Sequence, residues 1–151
     1  MNSSTIIGPV FIEGNVINHK YKELLEEKFY PGIRHCHMVR NYWFQQDGAR
    51  PHRTPEVLKS PSSTFHGHVI GLDHEKGTDS SIEWPPYSPD LNPCDHFFWG
   101  YLKDSTYRTP PTILDDLKIA IAQEVAAVGA DALKHEIQNF QKRVYDLVVS
   151  N

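Results

Sequence analysis

Two aspartates, Asp47 and Asp95, each stand where the chain turns. Asp47 closes the aromatic run Asn41 to Gln46 (NYWFQQ), and Asp95 falls in the first turn of a helix that opens behind a proline-rich run. Two carboxylates brought together repel unless a proton or a cation lies between them. A hard divalent cation takes oxygen ligands, and Mg²⁺ is commonly held by only one or two carboxylates while keeping waters. Such an ion activates water and stabilises the charge on a phosphodiester undergoing transfer. A plainer reading stands beside this one. An acid in a first helical turn offsets the helix macrodipole, and an aspartate before glycine is an ordinary turn residue.

The elements that must position these acids follow from the surrounding pattern. The stretch Ile82 to Asp104 (IEWPPYSPDLNPCDHFFWGYLKD) starts as a short apolar strand, Ile82 to Trp84. It then passes four prolines, Pro85, Pro86, Pro89 and Pro93. Asn92 is a good N-cap and Pro93 suits a first helical position. Phe97 with Tyr101 and Phe98 with Leu102 are spaced to give that helix an apolar face. Upstream, Thr5 to Ile12 (TIIGPVFI) reads as a strand, with Pro9 restricting it to an edge or a bulge. Asn18 is the expected cap of a helix to about Phe29, ended by Pro31-Gly32. Asn41 to Gln46 and His68 to Leu72 read as strands, and Thr54-Pro55 opens a short helix closed by Pro61. Asp73 to Ser81 is a polar loop.

Beyond Pro110-Pro111, Thr112 and Asp115 resemble a capping box. Leu114, Leu117, Ile121, Val125 and Val128 follow helical spacing; after Gly129, so do Leu133, Ile137, Phe140, Val144 and Leu147. Strands followed by helices give an α/β domain with a mixed sheet and a helical C-terminal part.

The chain has 151 residues, enough for one domain with a core. No apolar run reaches membrane-spanning length, and the first residues show no basic stretch followed by an apolar one. Two cysteines, Cys36 and Cys94, make no disulfide framework. The net charge of −4 argues against binding nucleic acid by general electrostatics. A nucleic-acid role therefore rests on a local site or on a partner domain.

Other candidates divide in the same way. His35-Cys36-His37 is a surface loop rather than a zinc site, because a structural zinc needs about four suitably spaced ligands. No acid–base role follows from His66, His68 and His74. His52 follows Asp47 closely and either approaches a phosphate or a metal's outer shell, or caps the turn. Arg50 and Arg53 flank the same turn as phosphate contacts or as ordinary loop arginines. Phe97, Phe98, Trp99 and Tyr101 are assigned to core packing rather than base stacking.

FQQDGARPH (Phe44 to His52) and WPPYSPDLNPCDHFFWGYLKD (Trp84 to Asp104) resemble signature segments of Tc1/mariner transposases. The likeness extends more weakly to IIGPVFIEGNV (Ile6 to Val16) and downstream to about Val144. It implies an RNase H-like catalytic domain with an acidic triad binding Mg²⁺ or Mn²⁺. Asp47 matches the family's second catalytic acid, and Asp95 the third, in the form that carries Asp there. The family cuts DNA at an element's ends through water and joins it to a new site through a DNA 3′-hydroxyl. DNA is thus the implied partner, a homodimer or a complementing transposase chain the implied assembly, and the nucleus the implied location.

Several departures shape the expectation. The family's first catalytic acid lies on a strand upstream of the segment matched by Ile6 to Val16, and Glu13 matches a turn instead. Arg50 stands where the motif usually has proline, and Asp73 to Ser81 lengthens the Asp47–Asp95 spacing. The C-terminus looks shortened against the family, and the helix-turn-helix DNA-binding region has no counterpart. The expectation is an RNase H-like domain incomplete at its N-terminus. It would be inactive alone and poorly folded or self-associating unless another chain supplies the missing strands. The alternatives are a non-catalytic nucleic-acid or protein-interaction module, or a decaying element copy without function.

Overall fold

The computed structural model describes residues 1–34, 42–73 and 81–149. They fall into two compact units, Ile12–Ser88 on one side and Met1–Phe11 with Pro89–Asn151 on the other. His35-Cys36-His37, Asn41 and His74, with the interior of the polar loop, lie outside the described residues.

In the unit Ile12–Ser88, a helical segment opens with α1 (Asn18–Leu24), widens into a π turn (Leu25–Phe29) and continues as α2 (Tyr30–Arg34). The segment was expected to stop at Pro31-Gly32. The Tyr30 N–H instead reaches five residues back to the Leu25 carbonyl, so the hydrogen-bond ladder has already changed register before Pro31, which has no N–H to give. Asn18 is the first helical residue rather than the cap; Ile17 holds the cap position and makes no side-chain bond there.

Strand β1 (Phe44–Gln45) follows, then a 3₁₀ turn (Arg50–His52), α3 (Pro55–Thr64), β2 (Val69–Gly71) and β3 (Ile82–Glu83). The described sheet has the order β1-β2-β3 and both pairings are parallel, with Phe44 opposite Val69 and Ile70 opposite Ile82. Parallel neighbours need a crossover, and α3 supplies it between β1 and β2. Thr54-Pro55 opens α3 as expected, but Pro61 does not close it. The Pro61 side chain is fully buried, and three hydroxyls cover carbonyls around it: Ser62 donates to Leu58 O, and Ser63 and Thr64 to Ser60 O. Phe44 stacks on Phe65 and meets Phe29, at ring-centroid distances of 5.2 and 5.7 Å. Val57 and Val69 are fully buried in this unit.

In the second unit, a 3₁₀ turn (Pro89–Leu91) precedes a helix that begins at Pro93, widens to a π segment (Cys94–Phe98) and runs on as α4 (Trp99–Thr106). Helices α5 (Leu114–Ala127) and α6 (Ala130–Val149) follow, parted near Gly129 as the periodicity predicts. Phe98, Leu102 and Val125 form the core, with Ile6, Phe97, Tyr101, Ile121 and Val128 packed against it. The core assignment of Phe97, Phe98 and Tyr101 therefore holds, whereas Trp99 is exposed.

Thr5 to Ile12 is not a strand. Gly8 sits at φ +121° and Pro9 has no N–H, so neither supports a ladder, and Ile6 packs on the helical core instead. Nor does Thr112 form a capping box with Asp115: Ile113 caps α5, and Thr112 Oγ1 donates to Asp116 Oδ2. The structure is thus α/β in composition, with a small parallel sheet and extensive helix.

Candidate functional site

Asp47 lies just past β1, and the chain turns at once. Its Oδ1 accepts the Ala49 N–H at 3.0 Å and lies 2.7 Å from His52 Nδ1. The Asp47–Gly48–Ala49 bend thereby closes on its own side chain, as aspartate turns commonly do. Gly48 lies close to Leu72: a Cβ there would come within 2.9 Å of Leu72 Cδ2, so the leucine would have to shift. The Asp47 side chain remains 42% exposed, and Oδ2 has no hydrogen-bond donor among the described residues.

A second set of contacts stands behind His52. The Tyr21 ring lies 4.2 Å from the imidazole, and its hydroxyl donates to Gln46 Oε1 at 3.1 Å. Gln46 is buried and reaches the His52 carbonyl through Nε2 at 3.4 Å. Burial, reinforced by the nearby Tyr30 and Asp47, pushes the Tyr21 phenol above its ordinary value. The phenol therefore stays a donor at neutral pH. Arg53, the other flanking cation, pairs with Asp73 at 3.1 Å. Arg50 is exposed on the 3₁₀ turn.

Asp95 belongs to the other unit. Asn92 caps its helix as the sequence implies: Asn92 Oδ1 accepts the Cys94 N–H at 3.0 Å, and Nδ2 donates to Asp95 Oδ2 at 2.9 Å. One asparagine therefore orders both the helix start and the carboxylate beside it. Burial pushes the neighbouring Cys94 thiol up, and the Asp95 carboxylate adds to the effect. This start is braced from α6. Buried Glu136 receives Arg143 Nη2 at 2.9 Å and lies 3.3 Å from His96 Nδ1, while Arg143 Nε donates to the Asp90 carbonyl at 2.8 Å.

Sequence reasoning did not find Tyr21, Gln46, Glu136 or Arg143. Glu136 and Arg143 did carry a signal, because they interrupt the core-facing spacing of Leu133, Ile137, Phe140 and Val144 with charges. Among the described residues, no group of three or more His, Cys, Asp or Glu side chains is arranged to hold a metal ion. No helix among them is long and apolar enough to cross a membrane.

The chain is 31% identical over 97 residues to the Transposable element Tcb1 transposase of Caenorhabditis briggsae. It is related to a transposase. The match takes in 64% of this chain and spans 30% of that relative's length. No protein-family model matches the chain.

Proposed function

We propose that this chain is a transposase-derived, RNase H-like domain of Tc1/mariner type that acts on DNA with Mg²⁺ or Mn²⁺, in the nucleus. The observation that carries the reading is the relationship to a transposase over 64% of the chain. The local chemistry of the two acids fits it. Among the described residues, Asp47 keeps one carboxylate oxygen without a donor, and Asp95 is exposed with Asn92 ordering its Oδ2. Both are oxygen ligands of the kind hard divalent cations take.

In this reading Asp47 and Asp95 are the metal-holding acids. The ion supplies Lewis-acid stabilisation of phosphodiester charge when bound. Arg50 is the exposed cation for a DNA phosphate, with His52 and Arg53 beside it. Cleavage and strand transfer are the chemistry proposed for the complete set of acids. The proposed assembly is a homodimer or a complex with a complementing transposase chain.

The test is Mn²⁺ titration of the chain by water-proton relaxation, together with a DNA mobility shift at several salt concentrations. Asp47→Asn and Asp95→Asn are each expected to weaken Mn²⁺ binding by about tenfold or more, as loss of an ionic ligand should. Unchanged Mn²⁺ affinity in both variants would refute the metal assignment. DNA binding that ignores both salt and Arg50→Ala would refute the phosphate contact.

A further inference from the structure

We infer that Tyr21 is a positioning residue for Asp47, acting through the imidazole of His52. The inference rests on the reading of Asp47 as a metal ligand. It begins from the proton on His52. Nδ1 faces two oxygens of the same residue, Asp47 Oδ1 at 2.7 Å and the Asp47 carbonyl oxygen at 3.3 Å. Both are acceptors, so Nδ1 carries the hydrogen and donates. That donor, with the Ala49 N–H, occupies Oδ1 and leaves Oδ2 for a ligand.

The imidazole can hold this pose only if something fixes its plane. The Tyr21 ring does so from one face, 4.2 Å away and tilted by 33°. The Tyr21 hydroxyl is itself tied to Gln46 Oε1, and Gln46 Nε2 returns to the His52 backbone, so the contacts close into a circuit around the turn. Tyr21 comes from α1 and Asp47 from the end of β1. The circuit therefore couples the carboxylate to the helix packed beside it. Loss of a partner that orients a metal ligand from behind typically costs about 10- to 100-fold in metal affinity.

The experiment uses the 151-residue chain and two readouts. One is the His52 Nδ1–H resonance and its exchange rate by ¹⁵N–¹H NMR; the other is Mn²⁺ affinity. Tyr21→Phe keeps the ring against the imidazole and gives up only the hydroxyl's bond to Gln46, so it is expected to change both readouts far less than loss of the ring does. Tyr21→Leu removes it and is expected to abolish the slowly exchanging Nδ1–H signal and weaken Mn²⁺ binding about tenfold. Where the leucine variant loses its cooperative melt, Tyr21→Met, which is closer in length, decides the same question. An unchanged Nδ1–H signal in the folded ring-less variant overturns the inference. Failure of the metal reading shows separately, as Mn²⁺ affinity indifferent to Asp47→Asn, and the NMR readout still decides whether Tyr21 orients His52.

Discussion

Arg143 Nη2 donates to Glu136 Oε1 at 2.9 Å, from two turns further along α6. Glu136 is only 3% exposed, and Arg143 also holds the Asp90 carbonyl ahead of the Asp95 helix. A carboxylate so buried depends on its partners. Arg143→Ala is expected to destabilise the chain by about 3 kcal/mol, since it strands a buried charge. His96, at 3.3 Å, offsets part of the loss. Replacing both groups together, as Glu136→Leu with Arg143→Met, should cost much less than Arg143→Ala alone. Urea midpoints for the three proteins check this; an Arg143→Ala midpoint equal to wild type would show that the pair holds nothing in place.

The Asp95 helix start depends in the same way on Asn92. Asn92 Oδ1 accepts the Cys94 N–H and Nδ2 donates to Asp95 Oδ2. Asn92→Ala is expected to cost about 1 kcal/mol as a lost cap. It also frees the Asp95 side chain, so Mn²⁺ affinity should fall along with stability. Asn92→Ser can restore the cap but does not reproduce the amide donor to Asp95. It should recover stability and leave the metal affinity low. Equal recovery of both properties would mean that Asn92 serves the helix alone.

Much of this was legible in the sequence, and the misses have physical causes. Asn92-Pro93 and the apolar spacings of α4 to α6 are local signals, and local signals survive folding. Pro31 and Pro61 were read as stops because proline lacks an N–H. Folding overrode both: a π turn changed the ladder ahead of Pro31, and three hydroxyls covered carbonyls around buried Pro61. Thr5 to Ile12 has strand composition, but its Ile6 is claimed by a helical core. At the site, Asp47 and His52 sit within one turn and could be paired from spacing. Tyr21 and Gln46 meet across 25 residues, and nothing in the spacing of either announces the contact.

Alkaline pH should weaken the unit Ile12–Ser88. Burial raises the Tyr30 phenol to about 12, against the 10.0 of an exposed tyrosine. The folded state then keeps the proton that the unfolded state releases. Its stabilisation is fully present below about pH 10 and is lost as pH rises through about 12. Each pH unit in that window removes up to about 1.4 kcal/mol for this group. Tyr30→Phe gives up the hydrogen bond with Ser60 and should start less stable, yet lose less between pH 9.5 and 11 (roughly the onset of that window). Parallel pH slopes for wild type and variant would rule Tyr30 out as a source of alkaline sensitivity.

Gly48 and Leu72 give the last prediction. A methyl group at position 48 would lie 2.9 Å from Leu72 Cδ2, too close without movement, although the obstacle is the far end of a flexible side chain. Gly48→Ala is therefore expected to cost about 1 kcal/mol through a displaced Leu72, the low end of overpacking penalties. Leu72→Ala opens the space at its own cost in lost packing. Combined, the two substitutions should be less damaging than their sum, because the second removes the clash introduced by the first. A double-mutant cycle on urea midpoints measures that coupling. Strict additivity would show that Leu72 moves aside freely and that the close approach does not constrain position 48.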